Sequence, residues 1–232
     1  MYGLTLPAGK GPLRVLCLGA HSDDIEIGCG ATMLELMGAR PVDVTWVVFS
    51  GNADREREAR KGAKLFLSGA NRADVVVQKF RDGFFPFVGA DIKEFFETLA
   101  ETAPDVIFTH FRDDRHQDHR LISDLTWNTF RNHTVLEYEI PKYDGDLARP
   151  NLFVPVSSAN AARKVRYLRS AFATQRDRHW FADETFMGLM RVRGLECRAP
   201  QRYAEAFHSR KAVLDLTADT RPAPRARRRV AR

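Results

Sequence analysis

A series of short apolar, β-branched runs separated by stretches of helical spacing narrows the fold more than any other feature of the chain. Leu13 to Gly19 (LRVLCLG) follows a Gly-Pro pair and is apolar almost throughout, which fits a strand buried on both faces better than a half-exposed one. After His21-Ser22-Asp23-Asp24, the segment Glu26 to Met37 carries apolar residues at Met33, Leu34, Leu36 and Met37 and stops at Gly38, the pattern of a helix. Val42 to Phe49 (VDVTWVVF) reads as a second strand, Arg55 to Leu67 as a charged helix and Ala73 to Gln78 as a third strand. Asp91 to Ala100 is helical in pattern, and Pro104 introduces a further β-rich run, Asp105 to Thr109, that ends at His110. Another helix is expected to begin near His119. Parallel strands need crossover connections, usually helices, so the alternation predicts an α/β fold: a mostly parallel sheet with helices on both faces.

The 232 residues, 44% of them hydrophobic, are enough to bury the core of one domain, expected over residues 1–218. Residues 219–232 read as a disordered tail, because a Pro/Ala/Arg segment buries too little apolar surface to order itself. Within it, residues 221–232 account for the net charge of +6: they hold six arginines, at 221, 225, 227, 228, 229 and 232, and no acid. The body is therefore near neutral, and no nucleic-acid partner is expected. No run approaches the ~20 apolar residues of a membrane span, and the first residues lack a signal-peptide pattern, so the chain reads as cytoplasmic. Three widely spaced cysteines, Cys17, Cys29 and Cys197, argue against both a disulfide framework and a cysteine zinc site. A homo-oligomer is compatible with the sequence. Glu137 to Pro155, rich in Pro, Gly and Tyr, is expected to be a long loop over the sheet edge or the site mouth and is a candidate substrate loop.

Two motifs carry chemistry. His21-Ser22-Asp23-Asp24 follows the first strand directly, and in open α/β sheets ligands bind at the carboxyl ends of strands. Adjacent carboxylates repel unless something positive lies near them; a divalent metal is the simplest such group, and a helix N-terminus is the plain alternative. His110 to His119 packs three histidines and three aspartates into ten residues, again after a predicted strand. If both strands belong to one parallel sheet, the two loops emerge at the same edge and their ligands can converge on one ion. Zinc suits three N/O ligands with one position left open, and Fe2+ or Mn2+ could occupy a similar set.

These residues resemble the PIG-L or LmbE-like zinc deacetylases, a family with members acting on N-acetylglucosaminyl inositol and N-acetylglucosaminyl malate conjugates. The family's Ala-His-Pro-Asp-Asp-Glu stands here as Ala20-His21-Ser22-Asp23-Asp24-Ile25-Glu26, with Ser for Pro and one residue inserted before the acid. Its Asp-x-His-x-Asp-His stands as Asp114-Arg115-His116-Gln117-Asp118-His119, preceded by Pro104 to His110 as in many members. Weaker matches are Ser50-Gly51 followed by Arg55-x-x-Glu58-Ala59-Arg60, and Tyr203 to Phe207, so that the likeness spans roughly residues 13–214. The resemblance implies a Rossmann-like, LmbE-like sheet, Zn2+ held by His21, Asp24 and His119, and Asp23 as the base. It further implies His116 as oxyanion stabiliser and proton donor, Asp118 orienting it, and Arg55 as a substrate contact. The implied partner is a small N-acetylated amino sugar or sugar conjugate. From the residues alone, Arg55 fits a surface helix equally well, Glu205 reads as a buried satisfied acid or as site floor, and Asp114 as loop electrostatics.

Other classes stay open at this point. The same metal chemistry opens esters or cyclic imidates, and an ion with four protein ligands would make a non-catalytic binding domain. Gly28 and Gly30 after a strand raise a dinucleotide site, but the third glycine of that fingerprint is missing and Asp23-Asp24 would repel a pyrophosphate.

Overall fold

The structure, a computed structural model, describes residues 3–6 and 11–213. Its centre is a seven-stranded sheet built from β1 (Leu13–Gly19), β2 (Val42–Ser50), β3 (Arg72–Phe80), β4 (Val106–His110), β5 (Thr134–Tyr138), β6 (Leu152–Val156) and β7 (Tyr203–His208). The spatial order is β3-β2-β1-β4-β5-β7-β6. The first five strands are parallel, and β7 runs antiparallel to both of its neighbours. Among the described residues six α-helices accompany them: α1 (Asp24–Ala39), α2 (Ala53–Phe66), α3 (Gly89–Leu99), α4 (Gln117–Thr129), α5 (Ser158–Ala171) and α6 (Asp183–Glu196).

Alternation along the strands divides the core between the two faces. Cys17, Trp46 and Phe108 point to one face, where Cys29 of α1, Phe66 of α2, Leu168 of α5 and Phe186 of α6 cover them. Leu16, Val47 and Ile107 point to the other, against Ile92 and Phe96 of α3 and Ile122 of α4. This is the doubly covered sheet that the continuous apolar strands require. None of the helices among the described residues is long and apolar enough to cross a membrane.

Several local features differ from the sequence expectation. The span from Glu137 to Pro155 is not one loop: its ends lie in β5 and β6, leaving residues 139–151 as the connection. Glu137 hides the strand pattern because its carboxylate is buried on the Trp127 indole N–H at 2.5 Å, and Pro155 is tolerated because β6 is an edge strand. Gly28 and Gly30 sit inside α1 and serve packing, not phosphate binding. A Cβ at Gly28 would lie 2.2 Å from the Tyr138 ring, and one at Gly30 would lie 2.5 Å from Phe66. Glu205 is a buried acid paired with Lys164 at 2.5 Å; its two oxygens also accept the Ala31 and Thr32 N–H groups, which braces α1 against β7. The arginine-rich segment 219–232 lies outside the described residues.

Candidate metal centre

The strand order reverses direction between β1 and β4, and the loops after these two strands therefore open side by side at the carboxyl edge. Register places Cys17 beside Phe108, so the ends of both strands stay level. His110, fully buried at the end of β4, ties them together: its Nε2 accepts the Ala20 N–H at 2.9 Å and its ring stacks on His119 at 3.9 Å. On the other flank, Ser50 at the end of β2 donates through both N–H and Oγ to the Ala20 carbonyl. The loop bearing His21 is thus clamped from both neighbouring strands.

His21, Asp24 and His119 converge. His21 Nδ1 lies 3.1 Å from His119 Nε2 and 3.3 Å from Asp24 Oδ2, and the third edge, His119 Nε2 to Asp24 Oδ2, is 3.6 Å. An ion bonded at about 2.0–2.1 Å to corners of a tetrahedron sets those edges at about 3.3–3.4 Å, so the triangle has the size of one metal-binding face. Other groupings of ligating atoms within 4.8 Å of one another include His21 with His116 and His119, and Asp24 with His110 and His119, but the Nε2 lone pair of His110 is taken by Ala20. Burial and the neighbouring His110 bring the His119 pKa down to about 3, keeping the imidazole neutral as a ligand must be. Burial opposes a charge on Asp24, yet the three imidazoles around it hold its carboxyl well below the usual range. Burial likewise opposes a charge on His21, but Asp24, together with hydrogen bonds to Asp118, Asp24 and Asp82, raises its pKa well above the ordinary value. The cluster draws in positive charge, which is what a dication would supply.

Asp23 is the residue preceding α1 and is buried. Its Oδ1 accepts from Arg55 Nη2 at 2.7 Å, while its Oδ2 has no hydrogen-bond partner among the described residues. This buried carboxylate oxygen, next in the chain to Asp24, is an unused acceptor. Burial pushes the Asp23 carboxyl up from the ordinary range against the pull of Arg55. The two imidazoles, the carboxylate and this free oxygen fit a catalytic divalent ion.

Arg55 is held inward. Glu58 accepts from its Nη1 at 2.7 Å and Thr174 at 3.2 Å, so the guanidinium that the resemblance assigns to the substrate also fixes Asp23. His116 precedes α4, with its Nδ1 accepting the Asp118 N–H at 3.3 Å, so the neutral ring carries its proton on Nε2. Burial, and then repulsion from His21, lower its pKa, so the resting ring is neutral and not cationic. The Asp118 carboxylate does not hold the His116 side chain as expected. It accepts the Gly83 N–H at 2.6 Å and the Phe85 N–H at 3.1 Å, with His21 Nε2 at 3.4 Å. Asp118 thereby pins the loop after β3 beside His21.

Two participants escaped the sequence reading. Asp114 is 2% exposed and its Oδ2 accepts from His119 Nδ1 at 2.9 Å, which fixes the tautomer that turns Nε2 towards the triangle. The family motif marked Asp114, but nothing local paired it with His119. Asp82, in the loop after β3, reaches His21 Nε2 at 3.1 Å and has no motif around it.

The sequence that builds both loops of the site matches a family of deacetylases. The chain belongs to the PIG-L family: the family model described as GlcNAc-PI de-N-acetylase matches residues 16–130, a span that contains both loops of the site. A curated relative, the uncharacterized deacetylase YaiS of Escherichia coli K12, is 28% identical over 138 residues, 55% of this chain and 74% of its own. Among solved structures, the N,N'-diacetylchitobiose deacetylase of Pyrococcus horikoshii aligns with a TM-score of 0.67 at 21% identity, covering 84% of this chain and 82% of that one. GalB, the 4-carboxy-2-hydroxymuconate hydratase of Pseudomonas putida KT2440, aligns with 0.69 at 16%, covering 88% and 98%. Likenesses this remote establish the shared fold, and the hydratase shows that the fold by itself does not choose the reaction.

Proposed function

We propose that this chain is a zinc-dependent N-deacetylase that hydrolyses the acetamide of an N-acetylglucosamine-type sugar or conjugate, acting as one catalytic unit. The observation that carries the reading is the triangle of His21 Nδ1, Asp24 Oδ2 and His119 Nε2 with the unpartnered Asp23 Oδ2 beside it. Membership of a deacetylase family supports amide cleavage, and the relatives' substrates suggest an acetylated sugar.

His21, Asp24 and His119 would hold the ion, which when bound polarises a carbonyl and lowers the pKa of water to about 7. Asp23 accepts the proton of the attacking water at Oδ2, while Arg55 keeps the carboxylate aimed through Oδ1. His116 donates through Nε2 to the oxygen that becomes negative, and the nitrogen that departs as an amine receives the proton gathered by Asp23. Asp118 keeps His21 and the loop after β3 in place, and Asp114 does the same for His119.

The test is acetate release from N-acetylglucosamine, its glycosides and nucleotide-linked forms, with and without a chelator. Asp23→Asn should retain the metal and lose turnover by about 100-fold or more. Chelator-resistant acetate release, or full activity in Asp23→Asn, would refute the mechanism.

A further inference from the structure

The connection 139–151 contains a stretch, 143–151, in which no residue is buried. Tyr143 is 70% exposed and Leu147 46% exposed, so apolar packing does not fix their positions. The stretch is held by polar contacts. The Ala148 carbonyl accepts from Arg193 Nη2 at 3.1 Å. Asp146 Oδ2 accepts the Arg115 N–H at 2.8 Å and pairs with Lys142 Nζ at 2.5 Å. Lys142 in turn donates to Asp114 Oδ2 at 2.9 Å, the same oxygen that accepts from His119 Nδ1. Phe111, Asp114, Lys142, Asp146 and Leu147 line a small hollow beside this junction.

We propose that Lys142 is a positioning residue that couples the loop 139–151 to the metal ligand His119 through the single oxygen Asp114 Oδ2. The inference rests on the metal reading given above. Asp114 is buried and charged, and Lys142 is its one lysine or arginine partner among the described salt bridges. Asp114 Oδ1 accepts the His116 N–H at 2.8 Å, so the carboxylate is held from three sides, and the Lys142 contact adds the position of the loop to what sets its orientation towards His119. Remove the ammonium and Asp114 keeps a single strong side-chain partner, so the ring it steadies gains freedom while the loop loses its link to the centre. By linkage, an ion bound at His119 then steadies the loop, and the loop in its tethered position favours the ion.

The experiment uses the full chain and zinc alone. Zinc affinity is measured by competition with a chromophoric chelator, and amide hydrogen exchange is followed over residues 143–147 with and without zinc. In the wild type, zinc should slow exchange over that segment. Lys142→Met should lower zinc affinity about 3–10-fold, less than removal of a group bonded directly to a ligand, and zinc should no longer alter the loop's exchange. Lys142→Arg should restore most of both effects. Lys142→Gln repeats the comparison with a polar, uncharged side chain, so a folding defect confined to the methionine variant leaves the test intact. Unchanged affinity with unchanged zinc-induced protection in these variants overturns the coupling. A lowered melting temperature with normal affinity and normal protection also overturns it, reducing Lys142 to a fold tether. A wild-type chain that binds no zinc would instead sink the metal reading itself.

Discussion

At the scale of single residues, the centre is organised by what each side chain's second atom touches. His119 turns Nε2 inward because Asp114 takes its Nδ1, and Asp23 presents Oδ2 because Arg55 takes its Oδ1. Asp114→Asn can still accept the ring N–H but removes the charge that favours it. We expect zinc affinity to fall about 10-fold or more in a chelator competition, with the far-ultraviolet circular dichroism unchanged. An affinity equal to the wild type would show that His119 is oriented by stacking on His110 alone. The two loops 21–24 and 110–119 could be read from the chain because their histidines and aspartates are neighbours in sequence. Asp82 on His21, Arg55 on Asp23, and Asp118 on the Gly83 and Phe85 amides could not, because each pairing joins segments tens of residues apart and nothing in the sequence links one end to the other.

Among the elements, the parallel half of the sheet was the most legible, since strands buried on both faces leave uninterrupted apolar runs. β5, β6 and α5 were harder. β5 contains Glu137 and β6 contains Pro155, while α5 is masked by its charged outer face and buries Lys164 within it. One joint between elements is testable by pH. Glu35 of α1 accepts the Ser157 N–H and the Asn160 side-chain amide, both at 2.8 Å, at the start of α5. Partial burial opposes its charge, but these contacts and Arg163 lower its carboxyl below the ordinary value. A depressed folded pKa gives stability that is present above the unfolded pKa, about 4.3, and lost as pH falls through the folded value. Glu35→Gln should therefore melt below the wild type at pH 7, with the gap closing below about pH 4. A gap that is independent of pH would assign the effect to hydrogen bonding without charge.

Across the whole molecule, the ion would bind the folded chain and have no equivalent site in the unfolded one. Free zinc at one hundred times its dissociation constant stabilises such a protein by about 2.7 kcal/mol. For a chain of this size that raises the melting temperature by about 5–10 °C, and a chelator should remove the increment; a transition unmoved by chelation would contradict a resident ion. The three proposed ligands sit on segments nearly a hundred positions apart, joined where the His110 ring meets the Ala20 amide across two adjacent strands. During synthesis, His21 and Asp24 leave the ribosome long before His119 does. Metal capture by these residues would have to wait until α4 has emerged and β4 has docked, so a truncated nascent chain would hold no finished site and the ion would arrive as a late seal on an already paired sheet.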